Sequence, residues 1–316
     1  MANMSKPKIY IDGKEGTTGL QIYERLGDRD DIDLLLIDED KRKDSAERKK
    51  FLNEADLVFL CLPDDAAREA VSLVTNESTR IIDCSTAHRT AEGWVYGFPE
   101  LTGQREQIRA AGRVANPGCY ATGFLSLVRP LVEKGVLPAN AKVTCHALSG
   151  YTGAGKKAIA QYGGPDRDPE LDSPRHYAVT LSHKHLPEMA KIAGLDRRPL
   201  FMPMICDFPQ GMVVTVPLWL DELNGAQSIE SLRALYAAYY EESKVVELRP
   251  AGAPACGFIG SNNLAGKDSL QIFVNGSGEQ VMLSARLDNL GKGASGAAVQ
   301  NMNLMLGFKE TKGLAL

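Results

Sequence analysis

The residue types most able to make and break bonds in this chain are a cysteine in a tight turn and a pair of histidines further on. In Asn116-Pro117-Gly118-Cys119-Tyr120-Ala121-Thr122, proline and glycine force a turn directly before an apolar helical pattern running from Tyr120 to Glu133. The Cys119 thiol therefore falls at the start of a helix. That position favours the thiolate, the form that attacks a carbonyl carbon. The remaining cysteines, 61, 84, 145, 206 and 256, lack this context; Cys61, between Leu60 and Leu62, reads as a small core hydrophobe. No CxxC pair or finger-like spacing occurs, so neither a disulfide framework nor structural zinc is expected. An attacking thiolate needs an imidazole to take and return protons. Ser182-His183-Lys184-His185-Leu186-Pro187-Glu188 supplies two of the five histidines, and either is a candidate base. A metal is not expected there, because no third ligand has recognisable spacing and H-E-x-x-H is absent. His88, His146 and His176 read as structural polar residues.

Two glycine-rich turns are candidates for binding anions. Gly13, Gly16 and Gly19, with Thr17 and Thr18 among them, follow the strand-like Lys8 to Asp12 and precede an apolar helical pattern. Backbone N–H groups at such a helix start, with the helix dipole, hold phosphate. The G-x-x-G-x-x-G spacing departs from the usual G-x-G-x-x-G, but its placement after the first strand fits a nucleotide. Asp38 lies where an acid would take a ribose 2′-hydroxyl, whereas Lys41, Arg42 and Lys43 suit a 2′-phosphate. The residues alone leave NAD and NADP open. Gly150 to Lys157 nearly spells a P-loop but ends in Lys157 where a magnesium-binding hydroxyl is required. Its backbone and Lys156 remain able to bind an anionic substrate or a cofactor phosphate.

What must position these groups is an alternation of strands and helices. The chain has 316 residues, enough for about two domains by the usual ~150 residues each. A hydrophobic share of 44%, a charged share of 24% and a net charge of −4 describe a globular protein with no dominant basic patch, so nucleic acid is not an expected partner. No apolar run approaches the ~20 residues of a membrane span and the start lacks a signal-peptide core, so a cytoplasmic protein is expected. Strand-like runs Asp33 to Ile37, Leu57 to Leu62 and Arg80 to Cys84, with a helix-like Asp64 to Val74, predict a parallel sheet covered on both faces. After Pro117 the pattern changes to β-rich segments. Met212 to Leu220, and Leu270 to Val274 with Gln280 to Leu287, predict an antiparallel hairpin sheet. Asn289 to Gly296 reads as another glycine turn into a helix from Ala297 to Leu306. With no flexible linker, two domains around a shared ligand cleft are expected.

These motifs in this order, with Asp288 to Asn303, closely resemble N-acetyl-γ-glutamyl-phosphate reductase over nearly the whole chain, and most resemble the shorter form of that family. Asn116 to Thr122 looks like its nucleophile signature, His183 to Glu188 its histidine motif, Ser149 to Lys156 its glycine loop, and Tyr96-Gly97-Phe98-Pro99-Glu100 its Tyr-Gly-Leu-Pro-Glu stretch. Aspartate-semialdehyde dehydrogenase is the more distant relative and the alternative reading. The resemblance implies an α/β fold: a Rossmann-type dinucleotide-binding domain, residues 1–117 plus 288–316, and an α+β substrate and dimerisation domain with a mixed or antiparallel sheet, residues 118–287. It implies Cys119 as nucleophile and His185 as acid/base catalyst, with His183 less certain. It implies NADP(H), cradled by Gly13, Gly16, Thr17, Thr18 and Gly19, lined by Pro63 and Ser85, with Asn289 and Gly293 near the nicotinamide end. Asn116, Ser149, Gly150, Lys156 and Arg89 would surround the substrate, with Arg175 a further cation for its phosphate. Implied partners are a small acyl phosphate or semialdehyde, inorganic phosphate, and further copies of the chain in a dimer or tetramer. The reaction implied is NADPH-dependent reduction of the acyl phosphate to the semialdehyde through a cysteine thioester, in arginine biosynthesis.

Overall fold

The computed structural model describes residues 5–316. They divide into two compact units, the first made of residues up to Pro117 with Ala294–Leu314, the second of Gly118–Gly293 with Ala315 and Leu316.

The first unit opens with β1 (Lys8–Asp12), α1 (Thr17–Gly27), β2 (Asp33–Leu35), α2 (Ser45–Glu54), β3 (Leu57–Leu60), α3 (Asp64–Leu73), β4 (Arg80–Asp83), β5 (Val95–Tyr96), α4 (Gln104–Ala110) and β6 (Arg113–Ala115). The strands form one sheet in the order β2-β1-β3-β4-β6-β5, and every ladder is parallel. Alternation of side chains along a strand explains the two cores. Ile9, Ile11, Phe59 and Ile82 pack on one face with Ile22 and Leu26 of α1. Tyr10, Val58, Leu60 and Ile81 pack on the other with Leu52 of α2 and Ala67 and Ala70 of α3. The unbroken apolar β3 is what a strand buried on both faces requires.

The second unit contains α5 (Cys119–Glu133), β7 (Thr144–Gly150), α6 (Lys156–Gly163), β8 (Arg175–His176), α7 (Leu186–Ala193), β9 (Leu200–Cys206), β10 (Met212–Trp219), α8 (Ile229–Tyr239), β11 (Val246–Leu248), β12 (Leu270–Ser277) and β13 (Gln280–Leu287). Its seven-stranded sheet runs β11-β12-β13-β10-β7-β9-β8. The expected β12–β13 hairpin is present, but β12 continues through Asn275 to Ser277 and shortens the turn. The sheet is mixed rather than purely antiparallel, since β7 pairs with β9 and β11 with β12 in parallel.

α5 is the central helix of this unit and is buried from Tyr120 to Leu131 except at Arg129. Pro130 lies inside it and has no N–H to offer the carbonyl four residues earlier. That carbonyl, on Ser126, instead accepts from the Tyr240 hydroxyl at 2.8 Å, and the Tyr236 hydroxyl donates to Leu127 O. Gly123 allows α5 to lie against β10.

The chain closes with a wide turn over residues 291–295 that runs into α9 (Gly296–Met305), a helix of the first unit buried at every position. Its polar residues have partners: Gln300 Nε2 donates to Glu100 Oε1 at 2.6 Å and Asn301 Nδ2 to Gly97 O at 2.9 Å. Asn303 Nδ2 donates to Lys312 O at 2.8 Å.

Gly123→Ala tests the α5 contact, because the added Cβ would stand 2.5 Å from Val214 Cγ2 and 2.8 Å from Val214 Cβ. Alanine gains ~1 kcal/mol of helix propensity over glycine, whereas overpacking costs ~1–3 kcal/mol. The variant is expected to unfold at lower urea concentration; an unchanged or higher midpoint would show that Val214 yields freely.

Candidate active site

In the second unit, Cys119 is the first residue of α5, with Gly118 as the cap and no side chain bonded to the helix start. The thiol is half-buried. The N–H of Gly118 donates to Glu188 Oε2 at 3.2 Å, and Glu188, in the first turn of α7, is only 1% exposed. A buried carboxylate thus ties the cysteine turn to the helix that follows the histidine motif.

The two histidines meet edge to face, 4.7 Å between centroids, with the His185 N–H donating to His183 Nδ1 at 3.1 Å. The Tyr120 ring lies 5.6 Å from His183 and 5.8 Å from His185. Tyr177 completes the group, its hydroxyl 3.4 Å from His183 Nε2. Burial first, and the negative charge of ionised Cys119 beside them, push the Tyr120 and Tyr177 phenols well above the usual range, so both stay protonated. Neutral phenols can donate hydrogen bonds without adding charge next to a thiolate. The opposite wall is backbone: a Cβ on Gly293 would come within 2.8 Å of Cys119 Cβ. Asp288 holds that segment, accepting from Gly266 N at 2.5 Å and Leu290 N at 2.8 Å.

In the first unit, Gly13 has φ +87°, and Gly13 and Gly19 leave no space for a side chain because a Cβ on either would strike a backbone carbonyl oxygen, of Cys61 and of Gly13 respectively. No side chain caps α1, so no side-chain acceptor takes its first N–H groups, the donors that a helix start offers to an anion. A cavity of about 390 Å³ opens beside this turn, lined by Gly13, Lys14, Leu36, Arg42, Lys43 and Arg48 among others. The cradle, cavity and cations fit a dinucleotide. Arg48 is not available to it: Nη2 donates to Asp12 Oδ2 at 2.8 Å, and the pair is buried. Asp38 faces away, its carboxylate 72% exposed and paired with Lys41 Nζ at 3.2 Å. Lys14, Arg42 and Lys43 are the other basic residues on the groove wall, Arg42 standing 3.7 Å from Glu39 and 3.9 Å from Glu15.

The other sequence candidates fall into distinct settings. Pro63 caps α3, and Ser85 donates to Asp83 Oδ2 at 2.8 Å. Asn116 Nδ2 donates to Ala294 O at 3.0 Å, and Arg89 Nε to Asn116 O at 3.0 Å, so both are braced within the first unit. Asn289 accepts from Gly211 N at 2.9 Å and donates to Thr152 Oγ1 at 3.0 Å, bracing the glycine loop of the second unit. Ser149 is buried and is a hydrogen-bonding neighbour of the Tyr120 phenol, as is Tyr177. Gly150 packs so closely on Phe208 and Pro209 that a Cβ would come within 2.5 Å of Pro209 O. Lys156 opens α6 and is exposed, after Gly155 at φ +84°. Sequence reasoning missed Tyr177 and gave Glu188 no role of its own; Glu188 stood in the histidine motif, but nothing local marked Tyr177. Among the described residues, no group of His, Cys, Asp or Glu is arranged to hold a metal ion, and no helix is long and apolar enough to cross a membrane.

Comparison with known proteins agrees with this division. Residues 9–111 match the semialdehyde dehydrogenase NAD binding domain and residues 119–289 the semialdehyde dehydrogenase dimerisation domain. The chain is 50% identical to N-acetyl-gamma-glutamyl-phosphate reductase 2 of Nostoc sp., over 98% of this chain and 100% of that one. It is 52% identical to the N-acetyl-gamma-glutamyl-phosphate reductase of Brucella ovis, over 96% and 99%. The chain belongs to this reductase family. It is an oxidoreductase with a domain for a nicotinamide dinucleotide. Its fold is shared with aspartate semialdehyde dehydrogenase II from Vibrio cholerae, with a TM-score of 0.73 at 16% identity, covering 96% of this chain and 99% of that one.

Glu188→Ala removes the acceptor of a buried N–H, a loss of ~1–3 kcal/mol. In a melting experiment it should lower Tm by roughly 2–12 °C at ~2–4 °C per kcal/mol, with Glu188→Gln, which keeps an acceptor oxygen, recovering most of the loss. Equal melting of all three proteins would remove the link between Glu188 and the cysteine turn.

Proposed function

We propose that this protein reduces N-acetyl-γ-glutamyl phosphate to N-acetyl-L-glutamate 5-semialdehyde with NADPH, through a thioester on Cys119, as a cytoplasmic homo-oligomer, dimer or tetramer, in arginine biosynthesis. The observation that carries this reading is Cys119 at the start of a buried helix, beside two histidines and two phenols held neutral. Half-identity from end to end with reductases of that name supports the substrate, and the matched dimerisation domain supports the oligomer.

Hydride does not readily reduce a carboxylate, but it reduces a thioester. The Cys119 thiolate attacks the acyl-phosphate carbonyl, the bond from carbonyl carbon to phosphate oxygen breaks, and inorganic phosphate leaves. N–H groups at the start of α5 stabilise the oxyanion; donors so placed in other enzymes are worth roughly 10²–10³ in rate. What bound NADPH supplies is the hydride for the thioester carbonyl. His185, 5% exposed and edge to face with His183, gives the resulting oxyanion its proton and takes it back as the carbon–sulfur bond breaks and the aldehyde leaves. Lys156, exposed at the start of α6, is a ligand for the departing phosphate. Asn289 and Gly293 brace the nicotinamide end in this reading, with Pro63 and Ser85 along the groove. Asn116, Ser149, Gly150 and Arg89 shape the substrate's surroundings, and Arg175 is a further cation for its phosphate.

The deciding assay follows NADPH formation from N-acetylglutamate semialdehyde and NADP, with and without inorganic phosphate, using aspartate semialdehyde as the competing substrate. Phosphate-dependent activity with the acetylated aldehyde alone is expected, and Cys119→Ser should abolish it while NADPH binding persists. Activity only with aspartate semialdehyde would overturn the substrate, and turnover by Cys119→Ser would overturn the thioester.

NADP over NAD is supported by Arg42 and Lys43 on the groove wall and by Asp38 turned toward Lys41. A hydrogen bond to a charged group contributes ~1.5–3 kcal/mol, about tenfold to a hundredfold in affinity. Replacing Arg42 and Lys43 with alanine should raise the KM for NADP by about that factor while leaving the KM for NAD nearly unchanged. Equal changes for both cofactors would place the 2′-phosphate elsewhere.

A further inference from the structure

Cys61 and Cys84 took no part in the reading above, yet the topology brings them side by side. Leu60 of β3 is in register with Asp83 of β4, so the next residue on each strand is a cysteine. Cys84 N donates to Leu60 O at 2.9 Å, and Cys61 N to Asp12 O at 2.8 Å, so the sheet bonding continues to both. Both side chains pack against the same core cluster, on the face of Ile11, Phe59 and Ile82. Neighbouring strands lie ~4.8 Å apart, inside the ~4.4–6.8 Å window of Cα separations that a disulfide spans. Each thiol is half-buried.

Their location gives such a bond a consequence. Leu62, next after Cys61, lines the dinucleotide groove, followed by Pro63. Ser85 follows Cys84 directly. The Cys61 carbonyl is the atom that leaves Gly13 no room for a side chain, so moving Cys61 toward Cys84 moves the floor of the glycine cradle.

We propose that Cys61 and Cys84 form a redox-modifiable dithiol, which a peroxide converts to a disulfide that weakens dinucleotide binding. The effect on affinity rests on assigning this groove to the dinucleotide. The neighbouring Cys84 sulfur and burial hold the Cys61 thiol well above its usual range. One sulfur of the pair, as thiolate, attacks one peroxide oxygen, the O–O bond breaks and hydroxide leaves, giving a sulfenic acid. The other sulfur then attacks that sulfenic sulfur; the S–O bond breaks as S–S forms, and the departing hydroxide takes the attacking thiol's proton as water. Two electrons leave the sulfurs, and one peroxide becomes two waters.

The test uses the full-length Cys119→Ser protein, so that the catalytic thiol does not react. It is treated with hydrogen peroxide, mapped by peptide mass spectrometry, and titrated with NADPH before and after dithiothreitol. The expected result is a Cys61–Cys84 cross-linked peptide lighter by two hydrogens and an NADPH Kd raised at least tenfold, both reversed by dithiothreitol. A Cys119→Ser/Cys84→Ala protein, and a Cys119→Ser/Cys61→Ala protein should either fold poorly, should show neither change. Absence of the cross-linked peptide, or its presence with unchanged Kd, overturns the proposal. Failure of the reduced protein to bind NADPH would overturn the groove assignment, and the affinity effect with it, before any oxidant is added.

Discussion

No side chain fits between Cys119 and residue 293, and much of the second unit serves that close approach. Gly293 is held against the cysteine by the turn after β13, which Asp288 organises by accepting backbone N–H groups. Burial pushes the Asp288 carboxyl up while those N–H groups pull it down, and burial prevails. The arrangement is restrictive at the next glycine too, because a Cβ on Gly291 would strike the carbonyl of Lys267. From the other side, α5 is fixed by packing along its whole length and Gly118 by Glu188. The Cys119 side chain is thereby confined on two sides.

The same economy governs the polar groups around it. Two phenols and two imidazoles within about 6 Å of one another would be costly if they carried like charge. Raising the phenol values keeps Tyr120 and Tyr177 neutral, so neither adds a negative charge beside Cys119. α9 solves the corresponding problem in the first unit, where Gln300, Asn301 and Asn303 are wholly buried and each amide finds a carbonyl or carboxylate.

Local conformation around the candidate residues was legible before the fold was known. The glycine turn after β1, the Pro-Gly-Cys turn into α5 and the His-x-His motif each write their conformation into adjacent residues. The Asp38 to Lys50 stretch shows where local reading stops. Its density of charge carries no helical apolar pattern, yet Asp44 caps α2 by accepting from Ala46 N and Glu47 N, and Leu52 packs into the core. Nothing local marks Arg48 on α2 as buried, because its partner, Asp12, lies 36 residues away at the end of β1. Tyr177 was invisible for the same reason, since its place depends on β8 pairing with β9. α9 carries polar residues at positions that a helix pattern assigns to solvent, and only segments distant in sequence make burial affordable for them.

The Arg48–Asp12 pair also shapes the cavity beside the glycine turn. Four basic residues line the cavity, and taken alone that count would predict a strongly anion-attracting surface along its whole length. Arg48 is neutralised by a carboxylate that burial pushes up and the guanidinium pulls down, and Glu69 stands 3.7 Å from its Nη1. Lys14 lies over the Tyr23 ring at 4.9 Å, at the glycine turn. Arg42 likewise stands beside carboxylates, 3.7 Å from Glu39 and 3.9 Å from Glu15. A buried ion pair is weak evidence for stability, because desolvation offsets much of its attraction. Its value here is selective: with Arg48 held by Asp12, the wall of the cavity beside the glycine turn carries paired charges instead of one continuous basic surface.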